Sequence, residues 1–401
     1  MYPEKPDPKR FIGLDIHKHY LIAIGVDEQL NQVLGPQRVQ LVNLEGWIHK
    51  TLTPSDAVVI EMTTNTWQVY DELLPHVHSV TVVHPPHVAL IVRSQVMTDK
   101  IAASHLARLH AKGLLTGIWI PPQNVRDRRA IVAQRQKMTR LATQAKNRLH
   151  ALLHRHHLLP PEGNLFHVDQ RNWWLSLPVS PLEKVRLFSD LETLAFAQQQ
   201  ADHLENCLVS LAAQDERLPL LVQLPGISVV TAMTLLAAIG DIARFPEAKK
   251  LVGYAGLGAR IHDSGLTTRT GRITKAGRKD LRAAMVEAAH TAANTHPHWQ
   301  AELARLGRNK AIVAIARKLL IAVWHLLTHQ CVDRHADPVR LARKLMQTAY
   351  VLGKANRPDG LSSAAFVRSQ LDRLCIAQDL TLIPWGAKKK PIPLPPSSQV
   401  G

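Results

Sequence analysis

Three carboxylates stand where a carboxylate is costly or poised. Asp15 lies inside the apolar run FIGLDI, Glu61 ends the apolar run AVVIEM, and Asp99 opens a helical pattern after Thr98. An ionised side chain within an apolar strand is expensive unless it is paired or binds a cation. Two such acids on neighbouring strands can coordinate Mg²⁺ together, and an acid at the start of the next helix can lean over the same sheet edge. Three acids converging in this way fit metal-assisted phosphodiester chemistry. Taken singly, Asp15 can simply end a strand and Asp99 can simply cap a helix.

A second candidate stretch is IHDSGLTTRTGRITKAGRKDLR, from Ile261 to Arg282. Arg269, Arg272, Lys275, Arg278, Lys279 and Arg282 crowd its second half, and Ser264 stands before a glycine near its head. Asp-Ser-Gly is ordinary turn chemistry. The stretch therefore reads either as a turn with a solvated basic loop or as a nucleophile followed by cations that grip phosphate. Thr267, Thr268 and Thr270 are rival hydroxyls, and Asp263 either orients the serine or caps the turn.

The elements that must position these groups follow from periodicity. Phe11–Val26 reads as two β-rich segments joined by a polar HKH turn, QRVQLV as a third strand, Ala57–Met62 as a buried strand, TWQVYDELL as a helix and Ser79–Pro85 as another strand. That order predicts an α/β domain with a mixed sheet over residues 1–125. A helix follows Thr98–Lys100 and closes at Gly113 or Gly117. From Arg126 to His157 the pattern is one long basic helix. It carries Arg126, Arg128, Arg129, Arg135, Lys137, Arg140, Lys146, Arg148 and Arg155 against one acid, Asp127. Such imbalance marks a solvated face or a phosphate-contacting helix. Ser189 with Glu192 reads as a capping box. The leucines that follow predict a helical hairpin or short coiled coil, so 126–217 is a helical linker. Residues 218–332 form a second compact domain, in which the PGIS turn presents backbone N–H groups at a helix start. Residues 333–401 read as an extension ending in a disordered Pro/Lys tail.

The 401 residues carry a formal net charge of +17 and a pI near 10.0, which points to a polyanionic partner, nucleic acid or an anionic membrane. The uncharged run Leu220–Gly240 is broken by LPGIS and reads as a buried turn and core helix, not a membrane span. Cys207, Cys331 and Cys375 give neither zinc spacing nor a disulfide framework, which suits a reducing cytosol. No histidine spacing among the 22 matches a zinc motif. Trp173 and Trp174 read as core anchors or base-stacking groups.

GLDIHKHYLIAIGV, VVIEMT, TDKIAASHLARL and KNRLHALL resemble the RuvC-like half of the DEDD-type insertion-sequence transposases, the insertion-sequence one-ten family. That group includes a site-specific DNA invertase. LVQLPGISVVTAMTLLAAIGDIARF, LVGYAGLGAR, DSG and GRITKAGRKDLR resemble the family's second conserved domain. The resemblance covers roughly Phe11–His157 and Leu218–Leu327. It implies a RuvC-like (ribonuclease-H-like) α/β domain, an α-helical linker and a mostly α-helical C-terminal domain. It further implies a DNA recombinase that excises and inserts its own mobile element in a prokaryotic cytoplasm, on the nucleoid. The implied partners are target and donor DNA, a structured bridge RNA that supplies sequence specificity, and further copies of the chain, from dimer to tetramer.

The family's acids read Asp, Glu, Asp, Asp. Asp15, Glu61 and Asp99 match the first three, and the implied ion is Mg²⁺ or Mn²⁺. The fourth acid is expected at 102, where this chain has Ala102. One helical turn would set a carboxylate there beside Asp99. The chain therefore either works with three carboxylates plus water and phosphate oxygens, or holds its metal more weakly. Ser264 matches the family's proposed nucleophile, which forms a phosphoserine link and so conserves bond energy for rejoining. Two other classes remain open: a RuvC-like metal-dependent nuclease that uses water, and a non-catalytic nucleic-acid-binding protein.

Overall fold

The computed structural model describes residues 7–92, 98–264 and 267–395, with backbone alone at 262, 263 and 268–270. The chain divides into two compact units after Pro121. In the first, β1 (Arg10–Ile16), β2 (Tyr20–Val26) and β3 (Gln32–Gln40) form an antiparallel meander. It is followed by α1 (Leu44–Thr51), β4 (Asp56–Glu61), α2 (Thr66–Leu73), β5 (Ser79–Val83), α3 (Pro85–Ile91) and α4 (Asp99–Ala111). The five-stranded sheet has the order β3-β2-β1-β4-β5, with β4 parallel to both β1 and β5. It is the mixed sheet that the alternating strand and helix patterns predict.

Both faces of the sheet are covered, which is why its central strands are nearly continuous apolar runs. Side chains alternate between faces along a strand. Ile12, Leu14, Ile16, Val58 and Ile60 point to one face and pack with Ile48 of α1 and with Val69 and Leu73 of α2. Ile22, Ile24 and Val59 point to the other, against Ala103 and Leu106 of α4. At the end of the sheet where β1 begins, Arg10 holds the fully buried Asp56 through two 2.7 Å hydrogen bonds, and Asp56 also accepts from the Thr53 N–H. This pair satisfies its own charges. The acids at the other end of the same strands do not.

The second unit is mostly helical: α5 (Gln123–Arg155), α6 (Arg171–Ser176), α7 (Pro181–Ala213), α8 (Leu218–Val222), α9 (Val229–Ile239) and α10 (Ala248–Tyr254). A ribbon follows, β6 (Ala259–Ser264) with β7 (Thr267–Ile273). Then come α11 (Lys279–Thr295), α12 (Pro297–Leu306), α13 (Arg308–His329), α14 (Pro338–Asn356), α15 (Ser363–Arg373), and a second ribbon, β8 (Leu382–Trp385) with β9 (Lys388–Pro391). Helices α5 and α7 pair antiparallel, as the ion pairs Arg135–Glu205, Arg148–Asp190 and Arg155–Glu183 along them require. Between them Trp174 is buried, its indole N–H donating to Leu165 O at 3.0 Å, so it anchors a core. The buried helix α9 follows the PGIS turn, and Ser228 caps it by accepting from the Thr231 N–H. Helix α13 is long and apolar enough to cross a membrane, yet half of its most apolar stretch is buried. Ile315, Leu319 and Val323 join the same core as α9 and α11.

Two local expectations fail for physical reasons. The cap of α7 is Ser180, accepting from the Glu183 N–H with Pro181 in the first turn, and Ser189 lies inside the helix. The same S-x-x-E pattern occurs twice, and proline selects the earlier one. The Pro/Lys segment from Gly386, expected to be disordered, is structured as far as the described residues run. β8 and β9 pair there, and Lys390 lies over the rings of Tyr350 and Trp385 at 4.2 and 4.3 Å. Leu341, Leu345, Phe366 and Leu371 of the extension belong to the core shared with α9 and α13.

Candidate active site

The period-2 alternation that builds the sheet also builds the site. Gly13 and Asp15 face α4, because their neighbours Ile12, Leu14 and Ile16 face the opposite core. Leu14 pairs with Ile60 in parallel register, so Asp15 and Glu61 follow side by side at the ends of β1 and β4. Gly13 sets the distance of the helix. A Cβ there would lie 2.1 Å from the carbonyl oxygen of Ala103 and 2.6 Å from the Ala107 nitrogen. The missing side chain lets α4 lie against β1 and brings the start of α4, with Asp99, to the sheet edge. Thr98 is the cap, accepting from the Ile101 N–H, so Asp99 is free of that duty. We predict that Gly13→Ala forces α4 outward, costs about 1–3 kcal/mol in denaturant unfolding, and lowers DNA strand cleavage by more than the stability loss explains. A variant with unchanged cleavage would mean that the seating of α4 does not matter.

Asp15 and Asp99 converge on a residue that the sequence reading passed over. His17 Nε2 lies 3.3 Å from an oxygen of each carboxylate. The three side chains offer ligand atoms all within 4.8 Å of one another. The His17 ring stacks on Tyr20, with centroids 4.7 Å apart, and its backbone carbonyl accepts from Asn65 Nδ2 at 3.1 Å. Tyr20 in turn donates its hydroxyl to Asp99 at 2.9 Å, and the Arg38 guanidinium lies 3.9 Å over the Tyr20 ring. Glu61 is outside this triad and couples to it through charge. Burial pushes the Asp15 carboxyl above the usual carboxylate range, His17 pulls it back, and the Asp99 charge adds to the rise. Burial likewise raises Glu61, with the charge of Asp15 as the further cause. The bond to Asp99 raises the Tyr20 phenol.

His17 lends Asp15 some positive charge, yet burial still raises both carboxyls, so further positive charge would stabilise their ionised forms. A divalent ion bound by oxygens about 2.0–2.6 Å away supplies that charge, and donor atoms less than 4.8 Å apart can share one ion. The donor set therefore fits the metal that the carboxylates imply. Ala102, in the turn of α4 after Asp99, brings no ligand. One signal for His17 was present in the sequence, since it stands two residues after Asp15, one residue past the end of β1, where continued alternation would keep it on the face of Asp15.

In the second unit, Ser264 is exposed at the end of β6, paired with Thr267 across the hairpin; Thr267 Oγ1 donates to the Ser264 carbonyl at 2.9 Å. The stretch is therefore a two-stranded ribbon with the serine near its tip, followed by the start of α11 at Lys279. The side chains of Asp263, Thr268, Arg269 and Thr270 lie outside the described residues. Arg272, Lys275 and Lys279 are exposed. Arg278 pairs with Asp280, and Arg282 donates to the Ala255 carbonyl at 2.9 Å.

The basic helix α5 is less free than its charge pattern suggests. Arg128 pairs with the nearly buried Asp215, and Arg129 donates to the carbonyls of Ala237 and Ala238. Arg135 and Arg148 pair with Glu205 and Asp190 of α7, Arg126 donates to Gln123, and Lys146 lies over the Phe166 ring. The acids missing from α5 itself are supplied by α7 and by Asp215. Lys137 and Arg140 remain exposed on it.

Comparison with known proteins places both units. The DEDD transposase model of the IS110 group matches residues 12–158, and the model of the IS116/IS110/IS902 transposase family matches residues 218–304. The pilin gene-inverting protein of Moraxella bovis is 30% identical over 78% of this chain and 94% of its own length. The transposase of insertion sequence element IS1111A from Coxiella burnetii is 24% identical over 80% of this chain and 90% of its own. DEDD transposases use divalent metal and act on DNA, and the carboxylates of the first unit lie within the matched residues. The chain belongs to the IS110 family of transposases and is a DNA transposase/recombinase.

Proposed function

We propose that this transposase cuts and rejoins DNA through a serine-linked phosphodiester at Ser264, with Mg²⁺ or Mn²⁺ held by Asp15, Glu61 and Asp99, and that a bridge RNA encoded by its element selects target and donor. The first unit is read as RuvC-like (ribonuclease-H-like). An antiparallel meander continued by two parallel strands, with acids at the ends of β1 and β4, supports that reading. The observation that carries the serine chemistry is the exposed Ser264 at the end of a ribbon, with Arg272, Lys275 and Lys279 exposed behind it.

In the proposed step, Ser264 Oγ bonds to a DNA phosphorus as one phosphorus–oxygen bond to deoxyribose breaks, and the serine proton ends on the leaving oxygen. A hydroxyl from the exchanged strand reverses the step, so no external energy is needed. Asp15, Glu61 and Asp99 would hold a cation that lowers the charge on the phosphate oxygens. Arg272, Lys275, and Arg269 in the same run, neutralise charge that develops in the transition state. Lys137, Arg140 and Lys279 hold backbone phosphates, a role the sequence also assigns to the internally paired Arg126, Arg128, Arg129, Arg135, Lys146, Arg148, Arg278 and Arg282. Exchange between two duplexes calls for a dimer or tetramer on the nucleoid.

The test is to express the protein together with the DNA flanking its gene, purify it in moderately high salt, and sequence the RNA that stays bound. One discrete element-encoded RNA is expected. Adding it with donor and target DNA should then produce a protein–DNA adduct that survives denaturation. A random smear of RNA would sink the guide, and cleavage without an adduct would sink the serine.

A further inference from the structure

This inference rests on the proposed metal site of the first unit. The site has one acid fewer than its family pattern, and Ala102 stands where the fourth is expected. A nitrogen donor lies between two of the acids that remain. His17 Nε2 is wholly buried although the ring is partly exposed. It sits 3.3 Å from both Asp15 and Asp99, and it has no hydrogen-bond partner among the described residues. A buried ring nitrogen aimed at two carboxylates, without a well-formed hydrogen bond to either, is placed to share a cation with them. The ring is also held in place. It stacks on Tyr20, Tyr20 donates to Asp99, and the backbone on either side is fixed by the 2.8 Å bond from the His17 N–H to the Tyr20 carbonyl and by Asn65.

We infer that His17 is a metal ligand that replaces the missing fourth carboxylate, and that the resulting nitrogen–oxygen site prefers Mn²⁺ to Mg²⁺. The physical reason is ligand type. Mg²⁺ is bound through oxygen and gives up its water reluctantly, whereas a first-row transition ion accepts imidazole beside carboxylates. Tyr20 is a positioning residue, because its hydroxyl orients Asp99 and its ring orients His17.

The test uses the full-length protein and Mn²⁺ alone. Binding is followed by the loss of the free-ion signal in electron paramagnetic resonance. Pulsed measurements then compare protein grown with ordinary histidine and with ¹⁵N-histidine. Expected is one site abolished by Asp15→Asn, with a nitrogen modulation that changes with the isotope and vanishes in His17→Ala. Mn²⁺ affinity falls at least about 10- to 100-fold in that variant, because losing only a partner that orients a ligand already costs that much. His17→Gln, which keeps the bulk of the turn, should lose the modulation too. Adding Ala102→Asp to His17→Ala should restore binding without the nitrogen signal and shift preference towards Mg²⁺. An Asp15-dependent site with no nitrogen modulation, unchanged in His17→Ala, overturns the role of His17 and leaves the carboxylate site standing. Tighter Mn²⁺ binding in His17→Ala would make the imidazole a competing cation and also overturn it. No Asp15-dependent Mn²⁺ binding removes both this inference and the metal site beneath it.

Discussion

Ser264→Ala is expected to abolish strand joining, by at least about three orders of magnitude or about 4 kcal/mol of transition-state stabilisation, while leaving the fold and the metal site intact. The separation follows from the structure. Ser264 is exposed, and among the described residues the side-chain hydrogen bond at this position uses its carbonyl, not its hydroxyl. Removing Oγ opens no cavity and strands no buried group, so unfolding should change by less than about 0.5 kcal/mol. Metal affinity, which resides in the other unit, should not change at all. Joining is measured in a single turnover with donor DNA, target DNA and the element's RNA, and the denaturation-resistant adduct is measured in parallel. Thr267→Ala serves as the control, because Thr267 is the rival hydroxyl directly across the ribbon. Loss of both joining and adduct in Ser264→Ala alone identifies the nucleophile. Retained cleavage that still depends on Asp15 would instead make the protein a metal nuclease that uses water. Loss in Thr267→Ala with retention in Ser264→Ala would move the nucleophile across the hairpin.

The sheet was legible in the sequence because its strands are short apolar runs separated by polar turns, and a run covered on both faces has nowhere to hide a charge. That is also why Asp15 and Glu61 stood out: each breaks or ends a run that is otherwise wholly apolar. The second unit was harder to read. The Ile261–Arg282 stretch has few apolar residues to mark strands, and its pairing into a ribbon depends on cross-strand partners that lie three to fourteen residues apart. The extension after Asp333 looked weak because α14 and α15 are amphipathic and short of long apolar runs. Their buried residues complete a core whose other half lies far back in the chain, in α9, α11 and α13.

Charge was the signal least complete in the sequence. Helix α5 shows one acid against many cations along its own length, and from sequence alone that imbalance reads as a surface for phosphate. Folding brings Glu205, Asp190 and Glu183 of α7 and Asp215 alongside it, and these pairs hold the hairpin in register. Local spacing cannot see a partner 28 to 87 residues away. The carboxylate site was legible only in part. There the acids were found, but His17 was assigned to a polar turn, because a histidine outside a metal motif carries no signal until α4 is seated on Gly13 and Asp99 arrives beside it.

Asp15→Asn is expected to have opposite effects on stability and on activity. In the metal-free protein the Asp15 carboxyl is raised above its ordinary value, chiefly by burial. For such a group the folded state holds the proton more tightly than the unfolded state. The stability it contributes is fully present below the unfolded pKa and is lost as pH rises through the higher folded value. At neutral pH the ionised Asp15 is therefore a liability, and removing its charge should raise the melting temperature of the metal-free protein. The advantage should shrink as pH falls towards about 4, where the ordinary carboxyl is itself protonated. Saturating metal reverses the order. An ion at about 100 times its dissociation constant adds about 2.7 kcal/mol to a protein that binds it, and Asp15→Asn should gain none of this. Strand cleavage in the variant should fall by at least about three orders of magnitude, since both the electrostatic help to the phosphate and the ion that provides it are lost. Thermal melts at pH 7 and pH 5, with and without Mn²⁺, read the first half, and cleavage of labelled donor DNA reads the second. A variant that melts below the wild type without metal would show that Asp15 is held by protein partners alone, and the case for a cation between Asp15 and Asp99 would fail. The expected pattern, a site that destabilises its own fold until a metal arrives, is the mark of carboxylates positioned for chemistry, in contrast to Asp56, whose charge Arg10 satisfies at the other end of the same strands.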